Sequence, residues 1–415
     1  MTPFLQLSLA LAILIAAAKA GGYLSYRLGQ PSVLGELLVG ILLGPTLVDI
    51  LHIPYFTDPH LPEVIHQMAE VGVLLLMFLV GLELHISDLA KTGKVAALAG
   101  ILGVILPLIM GFGTGKVFDL PNTAAIFLGL ILAATSVSIS AQTLMELNVL
   151  RSRVGISLLG AAVFDDILVV LGLSLFTALV VTESPGGLAT VLGVLGRMAL
   201  YLGLAAASGW VALPKASRRI SKLPVSQGLI AFTIVTLLLY GWAAEELGGM
   251  AAITGAFLAG LLFARSPVKQ RIESGITALA YGLFVPIFFI NVGLTADLRE
   301  LLGDTFWLFA ILAVVAMLGK IIGAGAGAFL GGLSRQESLQ VGIGMMSRGE
   351  VGLIVATVGV AQGLIDEVVF AVVVGVVIIT TLLTPPLLRA SFANSKSSAD
   401  RSKPENKSAA EGELE

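Results

Sequence analysis

Apolar runs long enough to cross a lipid bilayer follow one another along almost the whole of this 415-residue chain. They lie near 4–28, 33–51, 64–84, 93–118, 122–146, 151–181, 188–214, 225–246, 249–265, 272–293, 304–332, 337–362 and 366–390, thirteen in all. A hydrocarbon core about 30 Å thick needs roughly 20 apolar residues per helix. Helices satisfy every backbone N–H and C=O within their own segment, so such runs dictate an all-α polytopic membrane protein. Composition agrees, because 57% hydrophobic residues and only 12% charged ones cannot clothe a soluble protein of this size. The 48 glycines suit close helix packing in lipid. With no cysteine, disulfides, thiolate metal sites and thiol catalysis are excluded. The first run precedes AAAKAGG and so imitates a signal peptide, but no basic residue stands before it, and it reads as the first membrane helix.

The loops alternate in charge. One set carries Arg27, Lys91, Lys94, Arg151, Arg153, Lys215, Arg218, Arg219, Lys222, Arg265, Lys269, Arg271 and Arg335, whereas the other carries only Lys116 and Arg299 among many acids. The positive-inside rule makes the first set cytoplasmic, with the N-terminus outside and the C-terminus inside, as an odd number of crossings requires. The tail 393–415 is polar and without apolar pattern, and is expected to be disordered.

The two halves resemble each other. GELLVGILLG (35–44) recurs as GAFLAGLLFA (255–264), and FLVGLELHISDL (78–89) recurs in part as INVGLTADL (290–298). Both matches advance by seven segments, an odd shift that reverses orientation in the membrane and so marks inverted repeats, with 188–214 as the linker. Chance likeness between Gly/Leu-rich helices is the plain alternative. The same shift relates two polar interruptions. Ala133-Ala134-Thr135-Ser136-Val137-Ser138-Ile139-Ser140 breaks the fifth segment, and Met346-Ser347-Arg348-Gly349-Glu350 breaks the twelfth. Interruptions at corresponding positions point to discontinuous helices whose freed backbone groups and hydroxyls can replace the hydration of a small cation.

Charge at membrane depth completes the pattern. Asp165 stands fourteen residues beyond Arg151, about 21 Å along a helix, so Asp165 and Asp166 lie deep in the bilayer. Each acid there costs roughly 2.5–3.5 kcal/mol on insertion scales, and such groups mark ion or proton paths. Lys320 sits at similar depth in MLGKIIGAGAGAFLGG and needs a carboxylate from Asp165, Asp166 or Glu350. Adjacent helical residues point about 100° apart, so one aspartate can pair with Lys320 while its neighbour faces a cavity and trades H⁺ for a cation. The two titrations are coupled. Arg348 and Glu350 read as charge compensation for the broken helix. Glu36, Glu70 and Glu83 near helix ends read as interfacial, and Lys19 as snorkelling to the cytoplasmic face.

These residues resemble a family. The run AATSVSISAQTLMELNVLRSRVGISLLGAAVFDDILVV (133–170), with Lys320 and Ser347-Arg348-Gly349-Glu350 downstream, resembles bacterial two-aspartate sodium/proton antiporters, the NapA-like members of the monovalent cation/proton antiporter superfamily. The resemblance spans all thirteen segments. It implies an inverted-repeat NhaA/NapA-like fold with two crossing discontinuous helices. Core helices would span about 64–181 and 272–390, and dimerisation helices about 1–51 and 188–265. It implies Asp166 as the Na⁺-binding aspartate, Asp165 as the partner of Lys320, and Ser136 and Thr135 beside the ion. It further implies electrogenic exchange of Na⁺ or Li⁺ for H⁺, an elevator-like motion, a homodimer in the cytoplasmic membrane and no cofactor beyond the transported ions. The chain also resembles the membrane part of Kef-type potassium efflux systems, so K⁺/H⁺ exchange is the alternative. No strand, Gly-rich loop and helix follow Phe392, so the Kef-type nucleotide-binding domain is not expected.

Other classes fit worse. A channel would show repeated pore loops or charged rings, and neighbouring aspartates are poor hosts for an organic anion. An aspartic protease needs two carboxylates facing each other. Soluble-enzyme and nucleic-acid-binding motifs are absent.

Overall fold

The computed structural model describes residues 1–84, 91–176, 187–295, 298–301 and 305–401, and no strand occurs among them. The helices are α1 (Pro3–Arg27), α2 (Ser32–Leu43), α3 (Leu61–Glu83), α4 (Gly93–Val117), α5 (Asn122–Ala133), α6 (Val137–Glu146), α7 (Arg153–Phe176) and α8 (Gly187–Ile220). Then follow α9 (Gly228–Ala243), α10 (Ala252–Phe263), α11 (Lys269–Leu279), α12 (Val285–Leu294), α13 (Phe306–Gly331), α14 (Arg335–Gly344), α15 (Glu350–Ala361) and α16 (Glu367–Arg401). Taking α5 with α6 and α11 with α12 as single spans, ten helices among the described residues are long and apolar enough to cross a membrane. The twelve-residue helices α2 and α10 are shorter, about 18 Å each. Large apolar side chains such as Phe4, Leu24, Leu204, Trp307 and Leu330 point outward, which suits lipid rather than water as the surrounding solvent.

Glycine decides where helices meet most closely. A Cβ on Gly40 of α2 would strike the Ile290 carbonyl of α12, and a Cβ on Gly260 of α10 would strike the Phe78 carbonyl of α3. Bare backbone on one side lets the other approach, the usual device for packing helices in lipid. The same economy seats Gly129 of α5 on Leu108 of α4 and Gly342 of α14 on Ile321 of α13.

Two groups of helices result. In one, α3 packs along α10 and α12, α2 along α12 and α1, and α9 along α10. In the other, α4 packs along α13, α5 and α7, and α13 along α14 and α16. The sequence reading grouped 64–84 and 272–293 with the core helices. Here α3 and α12 instead lie with α2 and α10, because their glycines and those of α2 and α10 face one another.

Two further expectations are corrected. Helix α16 runs past Phe392 to Arg401, since no proline or glycine interrupts 393–401 and extending a formed helix needs no new nucleus; residues 402–415, the rest of the expected disordered tail, lie outside the described residues. Glu36 is buried rather than interfacial, 6% exposed, and its carboxylate lies 3.7 Å from Lys19 Nζ. The short helix α2 carries it inward, and Lys19 reaches it from α1. Glu83 does lie at a helix end, where it pairs with Arg151 at 2.5 Å.

Gly260→Val is expected to destabilise the protein by about 1–3 kcal/mol, the usual cost of overpacking, whereas Gly282→Ala, where an added Cβ meets nothing within 4 Å, leaves it unchanged. Melting curves in detergent compare the two; an unaltered Gly260→Val would show that this contact tolerates a side chain.

Candidate functional site

The fifth and twelfth apolar segments are both broken. Between α5 and α6 the helix opens at Ala134-Thr135-Ser136, and between α14 and α15 it opens at Met346 to Gly349. A break strands carbonyls at the end of the first half-helix and N–H groups at the start of the second. Here the two breaks satisfy each other. Ser136 N–H donates to the Ser347 carbonyl at 2.9 Å, and Ser347 Oγ donates to the Ser136 carbonyl at 2.6 Å. One turn on, Ser140 Oγ donates to the Gly344 carbonyl at 2.5 Å. Gly349 permits the crossing, because a Cβ there would lie 2.5 Å from Ser136 Cβ.

Arg348 holds this junction from inside. It is 1% exposed, and its guanidinium donates to the Met346 carbonyl at 2.7 Å and to the Ala316 carbonyl of α13 at 2.7 Å. Its backbone is fixed by α16, with N–H to Thr380 Oγ at 3.2 Å and the carbonyl accepting from Thr381 Oγ at 2.7 Å. A cation just beyond the C-terminal end of α14 also matches that end's partial negative charge. The Glu350 side chain lies outside the described residues; its backbone begins α15.

Helix α7 carries the two aspartates past this crossing, and they part company as the helical twist requires. Asp165 Oδ1 accepts from Lys320 Nζ of α13, and both side chains are wholly buried. Among the described residues, Asp165 Oδ2 has no hydrogen-bond partner. Thr135, at the first break, stands beside the Asp165 carboxylate, with its hydroxyl buried.

Asp166 faces elsewhere. It is 8% exposed and lines a cavity of about 10 Å³, enough for roughly one water-sized occupant. The other walls are Met77 of α3, Val137 of α6, Leu159, Ala162 and Val163 of α7, and Ile253, Thr254 and Phe257 of α10. Thr254 Oγ donates to Asp166 Oδ2 at 3.3 Å. The carboxylate therefore sits where the two helix groups meet. Of the expected site residues, Asp165, Thr135, Lys320 and Arg348 are brought together. Asp166 stands one helical step away, and the Ser136 backbone is taken up by the crossing, while its neighbour Val137 reaches the Asp166 cavity.

Thr254, Thr380 and Thr381 were not singled out from the sequence. Single hydroxyls in apolar helices most often bond back to their own helix, as Thr233 and Thr236 do. Thr254 did carry one signal: it precedes Gly255 where the matching stretch has Leu34 before Gly35.

The family model for the transmembrane sodium/hydrogen exchanger matches residues 10–390. The chain belongs to that family. Among similar proteins, the Na⁺/H⁺-K⁺ antiporter GerN of Bacillus cereus is 37% identical over 382 residues, covering 92% of this chain and 95% of that protein. An Na⁺/H⁺ antiporter of Enterococcus hirae is 37% identical over 379 residues, covering 91% of this chain and 96% of that protein. In fold, the chain is similar to the sodium proton antiporter MjNhaP1 of Methanocaldococcus jannaschii, with a TM-score of 0.68 at 20% identity over 94% of this chain and 98% of that one. The sodium/hydrogen exchanger family is one of antiporters, so this chain is a multi-pass membrane transporter and not an enzyme.

The geometry within this exchanger-family chain gives a direct energetic test. Breaking a buried ion pair at one partner strands a charge and costs about 3–5 kcal/mol, whereas neutralising both can cost little. Asp165→Asn and Lys320→Gln are each expected to lower the melting temperature well below that of the Asp165→Asn/Lys320→Gln double variant. Strictly additive losses in that cycle would mean that the two side chains do not depend on each other.

Proposed function

We propose that this chain exchanges Na⁺ or Li⁺ for H⁺ across the cytoplasmic membrane, with Asp166 as the carboxylate for which cation and proton compete. The observation that carries this reading is the unequal fate of the two aspartates. Asp165 is paired with a lysine, while Asp166 lines a small cavity between the two helix groups. A carboxylate there can hold a desolvated monovalent cation or a proton, since both remove its charge from an apolar wall. The names of the relatives, Na⁺/H⁺ antiporters by description, support the same chemistry.

Asp165 and Lys320 form the second ionisable unit. If the pair opens and releases a proton during the cycle, two protons travel against one Na⁺ and exchange is electrogenic. Arg348 and Glu350 hold the crossing rather than bind the ion, and Thr135 and Ser136 keep the break open beside the carboxylates.

Thirteen crossings are proposed, with the N-terminus outside and the C-terminus cytoplasmic, on the charge asymmetry of the loops. Inverted repeats receive support from packing. The repeat shift maps Gly40 onto Gly260 and Gly81 onto Gly293. Gly40 meets Gly293 across α2 and α12, and Gly260 meets the α3 backbone around Gly81 across α10 and α3. One contact is thus the image of the other. Alternating access follows as sliding of the α4–α7 and α13–α16 group against the α1–α3 and α9–α12 group, with α8 as the linker and the latter group building a homodimer.

Potassium is the second reading, favoured by the description of GerN as an Na⁺/H⁺-K⁺ antiporter. Proton flux in sealed proteoliposomes, driven in turn by NaCl, LiCl and KCl with and without an imposed potential, separates these possibilities. Sodium-driven proton movement that responds to potential and vanishes in Asp166→Asn is the expected result. Flux indifferent to potential would replace the two-proton stoichiometry with one-for-one exchange, and undiminished flux in Asp166→Asn would remove Asp166 from the site.

A further inference from the structure

The Asp166 carboxylate accepts a hydrogen bond from the facing helix group. Thr254 stands in the first turn of α10 and is 6% exposed. Its hydroxyl donates to Asp166 Oδ2, and among the described residues lining the cavity Thr254 and Asp166 are the only ones with polar side chains. Everything else facing that space is apolar: Met77, Val137, Leu159, Ala162, Val163 and the two neighbours of the hydroxyl on α10, Ile253 and Phe257.

The chain places the hydroxyl at this depth by a local device. Helix α9 ends in a wide turn at Ala244–Gly248, and Gly249 then takes a left-handed conformation, φ 65°, that suits a residue without Cβ. The chain re-enters as α10 at Ala252. Counted back from Phe263, the twelve residues of α10 rise about 18 Å, and Asp166 lies about 20 Å along α7 from Arg153. The N-terminal turn of α10 and Asp166 therefore stand at nearly the same level. The positive end of a helix at that level also favours a carboxylate. The corresponding position in the other half of the chain is Leu34, so close packing at the following glycine does not itself demand a hydroxyl.

We infer that Thr254 is the member of the cation site supplied by the helix group that faces the core, orienting the Asp166 carboxylate and offering its own oxygen to the ion. This rests on the reading of Asp166 as the ion-binding carboxylate. A hydroxyl that spends its proton on Asp166 keeps its lone pairs, and these can face a cation lodged against Oδ2. In an otherwise apolar cavity that oxygen replaces part of the hydration the ion gives up. Because Thr254 and Asp166 stand on different groups, the site is complete only while the groups are in this register. Sliding separates them and weakens the hold on the ion.

The test is Na⁺-driven proton flux in proteoliposomes carrying wild type, Thr254→Val, Thr254→Ser and Asp166→Asn, with KM for Na⁺ and kcat read separately. Loss of a hydrogen bond to a charged group corresponds to about tenfold or more. Thr254→Val is expected to raise KM for Na⁺ about tenfold, with kcat within about twofold of wild type, and Thr254→Ser to restore KM. The same variants, purified, are expected to show a smaller Na⁺-induced rise in melting temperature for valine and a normal one for serine. An unchanged KM in Thr254→Val, or a fall in kcat alone that serine does not rescue, would overturn the inference and leave Thr254 as packing. Should valine prevent folding, Thr254→Ala takes the same readouts. Asp166→Asn keeps the two ideas apart: if it retains exchange, the site reading itself fails, whereas a dead Asp166→Asn beside a normal Thr254→Val removes only Thr254.

Discussion

Two broken helices lie at membrane depth, and neither could exist without the other. Each break exposes backbone groups that hydrocarbon cannot satisfy, at a cost of several kcal/mol per group. Ser136 N–H donates to the Ser347 carbonyl and the Ser347 hydroxyl donates to the Ser136 carbonyl across the crossing, and Arg348 takes up carbonyls that remain. The rest of the site depends on this mutual satisfaction. The crossing fixes where α5 stops and α6 starts, and so where Thr135 and Val137 stand relative to the aspartates. It also holds α13 through Arg348, and with it the register of Lys320.

The ion pair between Lys320 and Asp165 follows from the same constraint. A lysine with no route to either membrane face must meet a carboxylate, and the helical twist leaves room for only one of two adjacent aspartates. That division gives one chain segment two electrostatic environments a single residue apart. Asp165 is enclosed by α13 and the first break, while Asp166 looks out across the seam toward α10. Positional asymmetry of this kind suits a site that must hold charge in one place and exchange it in another.

The glycines set the second scale of organisation. They bring α2 onto α12 and α10 onto α3, and those contacts gather α3 and α12 into the group that faces the core. The spans expected from the resemblance placed them with the core helices instead. The reason is that an apolar helix in lipid carries no polar face to reveal its neighbours; small residues reveal only that some neighbour comes close. Glu36 shows the same limit. Near a helix end it reads as interfacial, and only the packing of a short helix against α1 carries it inside toward Lys19.

By itself the sequence determined the helical membrane fold, the positions of both breaks, the depth of Asp165, Asp166 and Lys320, and the need for an ion pair among them. All of these follow from local rules: the hydrocarbon thickness, the rise of a helix, the cost of a buried charge and the residues that interrupt apolar runs. Tertiary structure alone decided which hydroxyls meet which partners and which helices pack together. Thr254, Thr380 and Thr381 are single polar residues in apolar helices and look like many others until the facing helix is in place. Their roles come from groups far apart in the chain, and no local propensity records such a meeting.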